Sequence, residues 1–148
     1  NRGYDARSSS SGYARLIRQA LSDCGLTVVD IGLVTTPICY FAAAQYDGNG
    51  IMVTASHNPK SDNGIKWIMQ GEPPLPEAIQ QVARDANEYF DSHAEMNWQT
   101  LPHQIVPEYC LAYQAALLND IQLMPQPRPY KVVVDGLYGS AGRCAVWS

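Results

Sequence analysis

The sequence predicts an α/β fold, and three observations predict it. Segments with apolar residues at helical spacing alternate with short β-branched runs, in the order helix, strand, helix, strand. The strand-like runs are continuously apolar, as in sheets covered on both faces. The 148 residues, 46% hydrophobic and 16% charged, suffice for one sizeable core and are far from the composition of a disordered chain.

Asn1 to Arg7 is a polar lead-in. Ser8 to Ser11 offer helix N-caps, and Tyr13, Leu16, Ile17, Ala20, Leu21 and Cys24 then recur at helical spacing until Gly25, a left-handed stop. Leu26 to Ile31 reads as a buried strand. Gly32 to Pro37 is a loop in which Thr36 caps the next helix and Pro37 takes its first position. That helix runs through Tyr40, Phe41 and Ala44 toward Tyr46. A turn at Asp47 to Gly50 leads into a second buried strand, Ile51 to Thr54.

A polar loop covers Ala55 to Asn63, followed by an apolar strand from Gly64 to Met69. Gly71 to Pro76 breaks the pattern. Glu77 to Phe90 is then an amphipathic helix with Ile79, Val82, Ala83, Ala86 and Phe90 on one face. Residues 91–106 form an irregular connector containing His93, Trp98 and His103. Pro107 opens a helix through Tyr109, Leu111, Ala112, Ala115 and Leu118 toward Leu123. Pro125, Pro127 and Pro129 make a semi-rigid linker, and Tyr130 to Asp135 reads as one more strand before the glycine-rich turn Gly136 to Gly142. The expected division is a domain over 1–124, a linker over 125–129 and the start of a second domain over 130–148. No internal repeat is present. The start at Asn1 and the stop at Ser148 read as a piece of something longer.

Composition removes several functions. The net charge of -4, without a basic run, gives nothing to neutralise a nucleic-acid backbone. The longest apolar runs are well short of the ~18 residues that span a bilayer. Cys24, Cys39, Cys110 and Cys144 form no C-x-x-C pair and lie in apolar stretches as small buried hydrophobes, which points to a reduced, cytoplasmic protein without a signal peptide. His93 and His103 have no cysteine or carboxylate cluster to complete a metal site. Trp67, Trp98 and Trp147 read as packing residues. Gly136 to Gly142 lacks the G-x-G-x-x-G spacing and the Walker lysine of phosphate loops.

Chemistry concentrates in Thr54-Ala55-Ser56-His57-Asn58-Pro59, followed by Asp62-Asn63-Gly64-Ile65-Lys66. The segment begins where a buried strand ends, the place where open α/β sheets bind ligands. Ser56 is a candidate nucleophile or phosphoryl carrier, and His57 can shuttle a proton near neutral pH. Asn58, Asp62 and Asn63 can hold the loop by local hydrogen bonds, and Lys66 can meet phosphate oxygens. The same residue types at a strand end also make ordinary turns, and an adjacent Ser-His pair is not a triad.

The whole string resembles the phosphoserine loop of the α-D-phosphohexomutases. Gly3-Tyr4-Asp5-Ala6-Arg7-Ser8-Ser9 is similar to that family's G-x-D-x-R-x-S segment, and Asp30-Ile31-Gly32 with Thr36-Pro37 to its D-x-G…T-P connection. Val132-Val133-Val134-Asp135 with Gly139-Ser140-Ala141-Gly142 resembles the opening of its second domain. The resemblance implies a three-layer α/β/α domain with a mixed sheet. It makes Ser56 the phosphorylated serine of an enzyme that interconverts hexose 1-phosphate and 6-phosphate, mannose or glucose first, through a hexose 1,6-bisphosphate. His57 and Lys66 then sit near the phosphoryl group for proton transfer and charge neutralisation, with no choice between them as general base. Arg7, Asn58 and Asn63 are placed at the substrate phosphate, with Arg7 also a support of the cleft. The phosphoserine oxygen would be a ligand of Mg²⁺.

The resemblance also defines what is missing. The family's metal loop, sugar-recognition loop and C-terminal phosphate loop belong to later domains of the same chain, its partners in the cleft. A strand expected before Gly3 is lacking too, which predicts an unpaired sheet edge. The fragment alone is therefore expected to be inactive. Gly71-Glu72 and Thr36-Pro37-Ile38-Cys39-Tyr40 look more like phosphomannomutase/phosphoglucomutase than phosphoglucosamine mutase, the alternative, which the run Asp62 to Lys66 fits equally well. A domain remnant that only binds or assembles is a second alternative. A serine hydrolase is a third, without the G-x-S-x-G elbow around Ser56.

Overall fold

A computed structural model describes residues 1–92, 108–120, 131 and 133–144. The order is β1 (Arg2–Tyr4), α1 (Ser10–Asp23), β2 (Asp30–Leu33), α2 (Thr36–Ala44), β3 (Gly50–Val53), β4 (Ile65–Ile68), α3 (Pro76–Ser92), α4 (Tyr109–Asp120) and α5 (Ala141–Cys144). The strands make one mixed sheet in the order β2-β1-β3-β4. β1 is parallel to both β2 and β3, and β4 runs antiparallel to β3. The expected mixed α/β sheet is the fold observed.

From β1 the chain steps to one side through α1, then returns across β1 through α2 to reach β3. Right-handed crossovers in opposite directions put α1 and α2 on opposite faces of the sheet. Side-chain alternation agrees. On the α2 face, Met52 joins Ile31, Val34, Ile38, Cys39 and Ala42 in the core cluster. On the α1 face lies Arg2, the neighbour of Gly3, 1% exposed and paired with buried Asp30. Burial, then the like charge of Arg18 on α1, lower Arg2 to about 10. Arg2 thus stays protonated at neutral pH, and the pair stays ionic.

α1 begins and ends where expected, with Cys24 as C-cap and Gly25 at φ +81°. Its inward face is rotated from the apolar reading. Ser10, Ala14 and Arg18 are buried, whereas Tyr13 and Leu16 are exposed. Polar Ser10 and Arg18 are drawn inward by partners that no apolar count registers. Cys24 is likewise exposed, not buried as expected, while Cys39 is buried and Cys110 half-buried; all three are free thiols.

Three further expectations are corrected. Asn1 to Arg7 is no mere lead-in, because it supplies β1, hydrogen-bonded on both sides in the middle of the sheet. The edges of the sheet are β2 and β4. The strand expected over Leu26 to Ile31 starts only at Asp30, which pairs with Arg2, so residues 26–28 run past β1 and have no ladder partner. Finally, residues 131 and 133–135 form no strand. No described strand lies beside them to complete a ladder, and a strand without partners is not stable in water.

α3 forms over the expected range, yet Ile79 and Val82 remain 46% and 53% exposed. α4 packs against α2, with the Phe41 and Tyr113 rings edge-on at 5.5 Å and the Tyr109 hydroxyl donating to that of Tyr46 at 2.8 Å. His93, Trp98, His103, the 125–129 linker and Trp147 lie outside the described residues.

Candidate active site

Strand order 2-1-3 makes β1 and β3 a switch point, where the connections leaving neighbouring strands diverge and open a crevice. Asp5 to Arg7 leave the carboxyl end of β1, Thr35 and Thr36 follow β2, and Thr54 to Lys60 follow β3. These segments line one cleft of ≈ 790 Å³, with residues 137–140 also on its wall.

Ser56 sits in this cleft in the left-handed region, at φ +56°. A non-glycine residue there is uncommon and persists only where its surroundings fix it. Both of its peptide groups are held. Its N–H donates to Thr54 Oγ1 at 2.9 Å, and its carbonyl accepts from Arg7 Nη2 at 2.7 Å. The Ser56 side chain is exposed, with Oγ 3.1 Å from His57 Nδ1. When the imidazole proton is on Nε2, Nδ1 accepts from the serine hydroxyl. Among the described residues no carboxylate hydrogen-bonds the other side of His57, so the orienting acid of a hydrolase triad is lacking.

Arg7 organises the loop. Its Nη1 donates to the carbonyls of Pro59 and Asp62, its Nη2 to those of Ser56 and Asn58, and its Nε to Asp5 Oδ2. A guanidinium has five N–H donors, and these bonds use them all. Arg7 therefore supports the cleft and has no donor left for a phosphate in this arrangement. Asn63 is engaged in the same way. Its Nδ2 donates to the hydroxyls of Ser9 and Ser10, and its Oδ1 accepts from the Gly64 amide, which ties the loop's end to the start of α1. Asn58 is exposed and lines the cleft. Lys66, on edge strand β4 opposite Met52, is exposed and does not line it; Lys60 does.

The sequence reading gave no role to Asp5 or Thr54, yet both are central. Asp5 Oδ1 accepts from the Ser10 hydroxyl at 2.5 Å and the Arg7 amide at 3.1 Å; Oδ2 accepts from Thr54 Oγ1 at 2.7 Å and Arg7 Nε at 3.2 Å. Burial works to raise this carboxyl, but the bonds from Ser10, Thr54 and the Arg7 amide, with the Arg7 charge, more than offset it. Asp5 ends below its usual 3.8. One signal for Thr54 was present: a threonine two residues before the serine can turn its hydroxyl onto that amide. Among the described residues no three His, Cys, Asp or Glu gather as a metal site.

Residues 3–92 match the family described as phosphoglucomutase/phosphomannomutase, alpha/beta/alpha domain I. The chain belongs to that family. It is 42% identical over 148 residues to a phosphoglucomutase of Neisseria gonorrhoeae, covering 97% of the chain and 30% of the relative. It is 36% identical to a phosphomannomutase/phosphoglucomutase of Pseudomonas aeruginosa, covering 95% of the chain and 28% of the relative. A crystal structure of a phosphoglucomutase/phosphomannomutase family protein from Burkholderia thailandensis superposes with a TM-score of 0.65 at 27% identity, over 82% of this chain and 27% of that one. The chain thus spans under a third of the relatives it matches. The family match takes in Asp5, Arg7, Thr54, Ser56, His57 and Lys66.

Proposed function

We propose that Ser56 is the phosphoryl carrier of a reversible hexose-phosphate mutase, acting on mannose or glucose phosphates, and that residues 1–124 form its first domain with a second beginning near 130. The observation that supports this most is the Ser56 hydroxyl itself. It is exposed in the switch-point cleft while its backbone is gripped on both sides. In the forward half-reaction the phosphoserine P–O bond breaks as a P–O bond forms to a sugar hydroxyl; the sugar oxygen gives up a proton and the departing Ser56 oxygen gains one, with His57 beside it to supply it. When the 1,6-bisphosphate returns its other phosphoryl group, the Ser56 hydroxyl attacks, and His57 Nδ1 at 3.1 Å is placed to take its proton. Phosphoryl transfer of this kind depends on positioning and charge stabilisation more than on covalent chemistry, and a rigid loop meets the first demand.

The donors present fit one share of a magnesium site. With no cluster of His, Cys, Asp or Glu among the described residues, the ligand we assign to them is an oxygen of phosphorylated Ser56. Mg²⁺ bound there would neutralise charge on the phosphoryl group in transit. The remaining ligands, the sugar contacts and the loops that close the cleft are assigned to partner domains. Lys60 and Lys66 are the loop's nearest basic residues in sequence on either side of Asn63, and Lys60 faces the cleft.

The test is intact mass and peptide mapping of the complete protein carrying this sequence, after incubation with glucose 1,6-bisphosphate and Mg²⁺. One added phosphate on Ser56, absent from Ser56→Ala, is expected, together with loss of turnover in that variant by at least about 10³-fold. An unmodified Ser56 in an active enzyme would sink the proposal.

A further inference from the structure

We infer that Asp5 and Thr54 form a positioning relay that sets the reacting hydroxyl of Ser56, an inference that rests on Ser56 being the phosphoryl carrier. The two peptide groups flanking Ser56 are held by different donors and acceptors, and both lead to one carboxylate. On the amino side, Thr54 Oγ1 donates its only proton to Asp5 Oδ2 at 2.7 Å. With that proton committed, the oxygen presents a lone pair to the Ser56 N–H at 2.9 Å. On the carboxyl side, Arg7 Nε donates to the same Asp5 Oδ2, and Arg7 Nη2 reaches the Ser56 carbonyl at 2.7 Å.

Asp5 thus fixes the direction of the Thr54 hydroxyl and the plane of the Arg7 guanidinium together. Asp5 and Thr54 line the cleft, and the role inferred for each is exerted through Ser56. Thr54 is buried and Asp5 is braced by Ser10, which Asn63 also contacts. The left-handed backbone of Ser56 follows from this double grip. Released from it, the residue relaxes toward a commoner conformation and its Oγ moves away from the line of transfer. The relay spans 49 residues of sequence from Asp5 to Thr54, and it joins the end of β1 to the end of β3.

Two variants and a control separate positioning from general support. Thr54→Val keeps the buried shape and removes the hydroxyl; Thr54→Ser keeps the hydroxyl; Asp5→Asn puts an amide donor where one acceptor was. In the complete protein carrying this sequence, Thr54→Val and Asp5→Asn are expected to lower kcat by about 10- to 100-fold with KM for the hexose phosphate within about two-fold. Thr54→Ser should restore most of what Thr54→Val loses. Hydrogen exchange of the Ser56 amide, read by NMR, should quicken about ten-fold or more in Thr54→Val and not in Thr54→Ser. Asp5→Asn disturbs Arg7 as well, so the Thr54 pair decides if that variant does not fold. An unchanged kcat in folded Thr54→Val, a loss confined to KM, or a Ser56 amide equally protected in both Thr54 variants would overturn the relay. A wild-type protein that never phosphorylates Ser56 would instead remove the mutase reading, and the amide exchange would still decide whether Thr54 holds Ser56.

Discussion

Arg7 connects four backbone carbonyls of one loop to the carboxylate of Asp5. A lysine at this position has three donors on one nitrogen and no planar fork, so it cannot span the same set. Arg7→Lys should therefore lower stability by about 2 kcal/mol, since charge-assisted hydrogen bonds contribute about 1.5–3 kcal/mol each and some are retained; a urea midpoint measures it. Asp5 adds a pH dependence. Its carboxyl lies lower in the folded chain than its ordinary 3.8. Its contribution is therefore full above the unfolded value and is lost as the pH falls through the folded one. Stability measured against pH should drop below about 3.8, and Asp5→Asn should flatten that limb. The proposed reactive pair, Ser56 and His57, was legible because T-A-S-H-N-P is contiguous. The roles of Asp5 and Thr54 were not, because they depend on side chains that meet across 49 residues. Arg7 was legible as an arginine at the cleft, but only the geometry shows that its donors are filled by carbonyls.

Helices and the longer strands were legible because their apolar spacing repeats over several turns or a full run. β1 was not. It has three residues, RGY, and periodicity has no meaning over that length. What makes it a central strand is tertiary: Asp30 neutralises buried Arg2, and Gly3 leaves room for Val34, whose Cγ2 would lie 2.6 Å from an added Cβ. The turn between α2 and β3 depends on glycine for a different reason. Gly48 adopts φ +72°, and a Cβ there would stand 2.3 Å from the Gly71 nitrogen and 2.6 Å from the Gln70 carbonyl carbon. Both are backbone atoms, and the Gly71 amide donates to the Gly48 carbonyl at 3.0 Å, so neither turn can yield alone. Gly48→Ala is expected to destabilise the chain by about 3 kcal/mol, combining overpacking with an unfavourable dihedral. Chemical denaturation gives the value, and a loss under about 1 kcal/mol would show that the two turns move apart freely.

Among the described elements, α3 is one whose sequence promised more burial than the structure gives it. Its apolar face satisfied every helical criterion, yet Ile79 and Val82 are about half exposed. Periodicity reports that a face is apolar and says nothing about what covers it. Ile79→Glu and Val82→Lys should each change the stability of this chain by no more than about 0.5 kcal/mol, the range of exposed sites; a loss of about 2 kcal/mol in urea unfolding would show the face to be buried in solution. The loop's place at the end of a buried strand was legible in the sequence, but the switch point was not, because it depends on β1. The way Arg7 closes that loop also sets its polarity. In a trans peptide the carbonyl and the following N–H point in opposite directions, and no peptide here is cis. With the carbonyls of Ser56, Pro59 and Asp62 turned in toward the guanidinium, the amides of His57, Lys60 and Asn63 are turned away from it. The negative ends of those peptide dipoles are gathered behind the loop, and their positive ends face the opposite side, where they favour an approaching dianion.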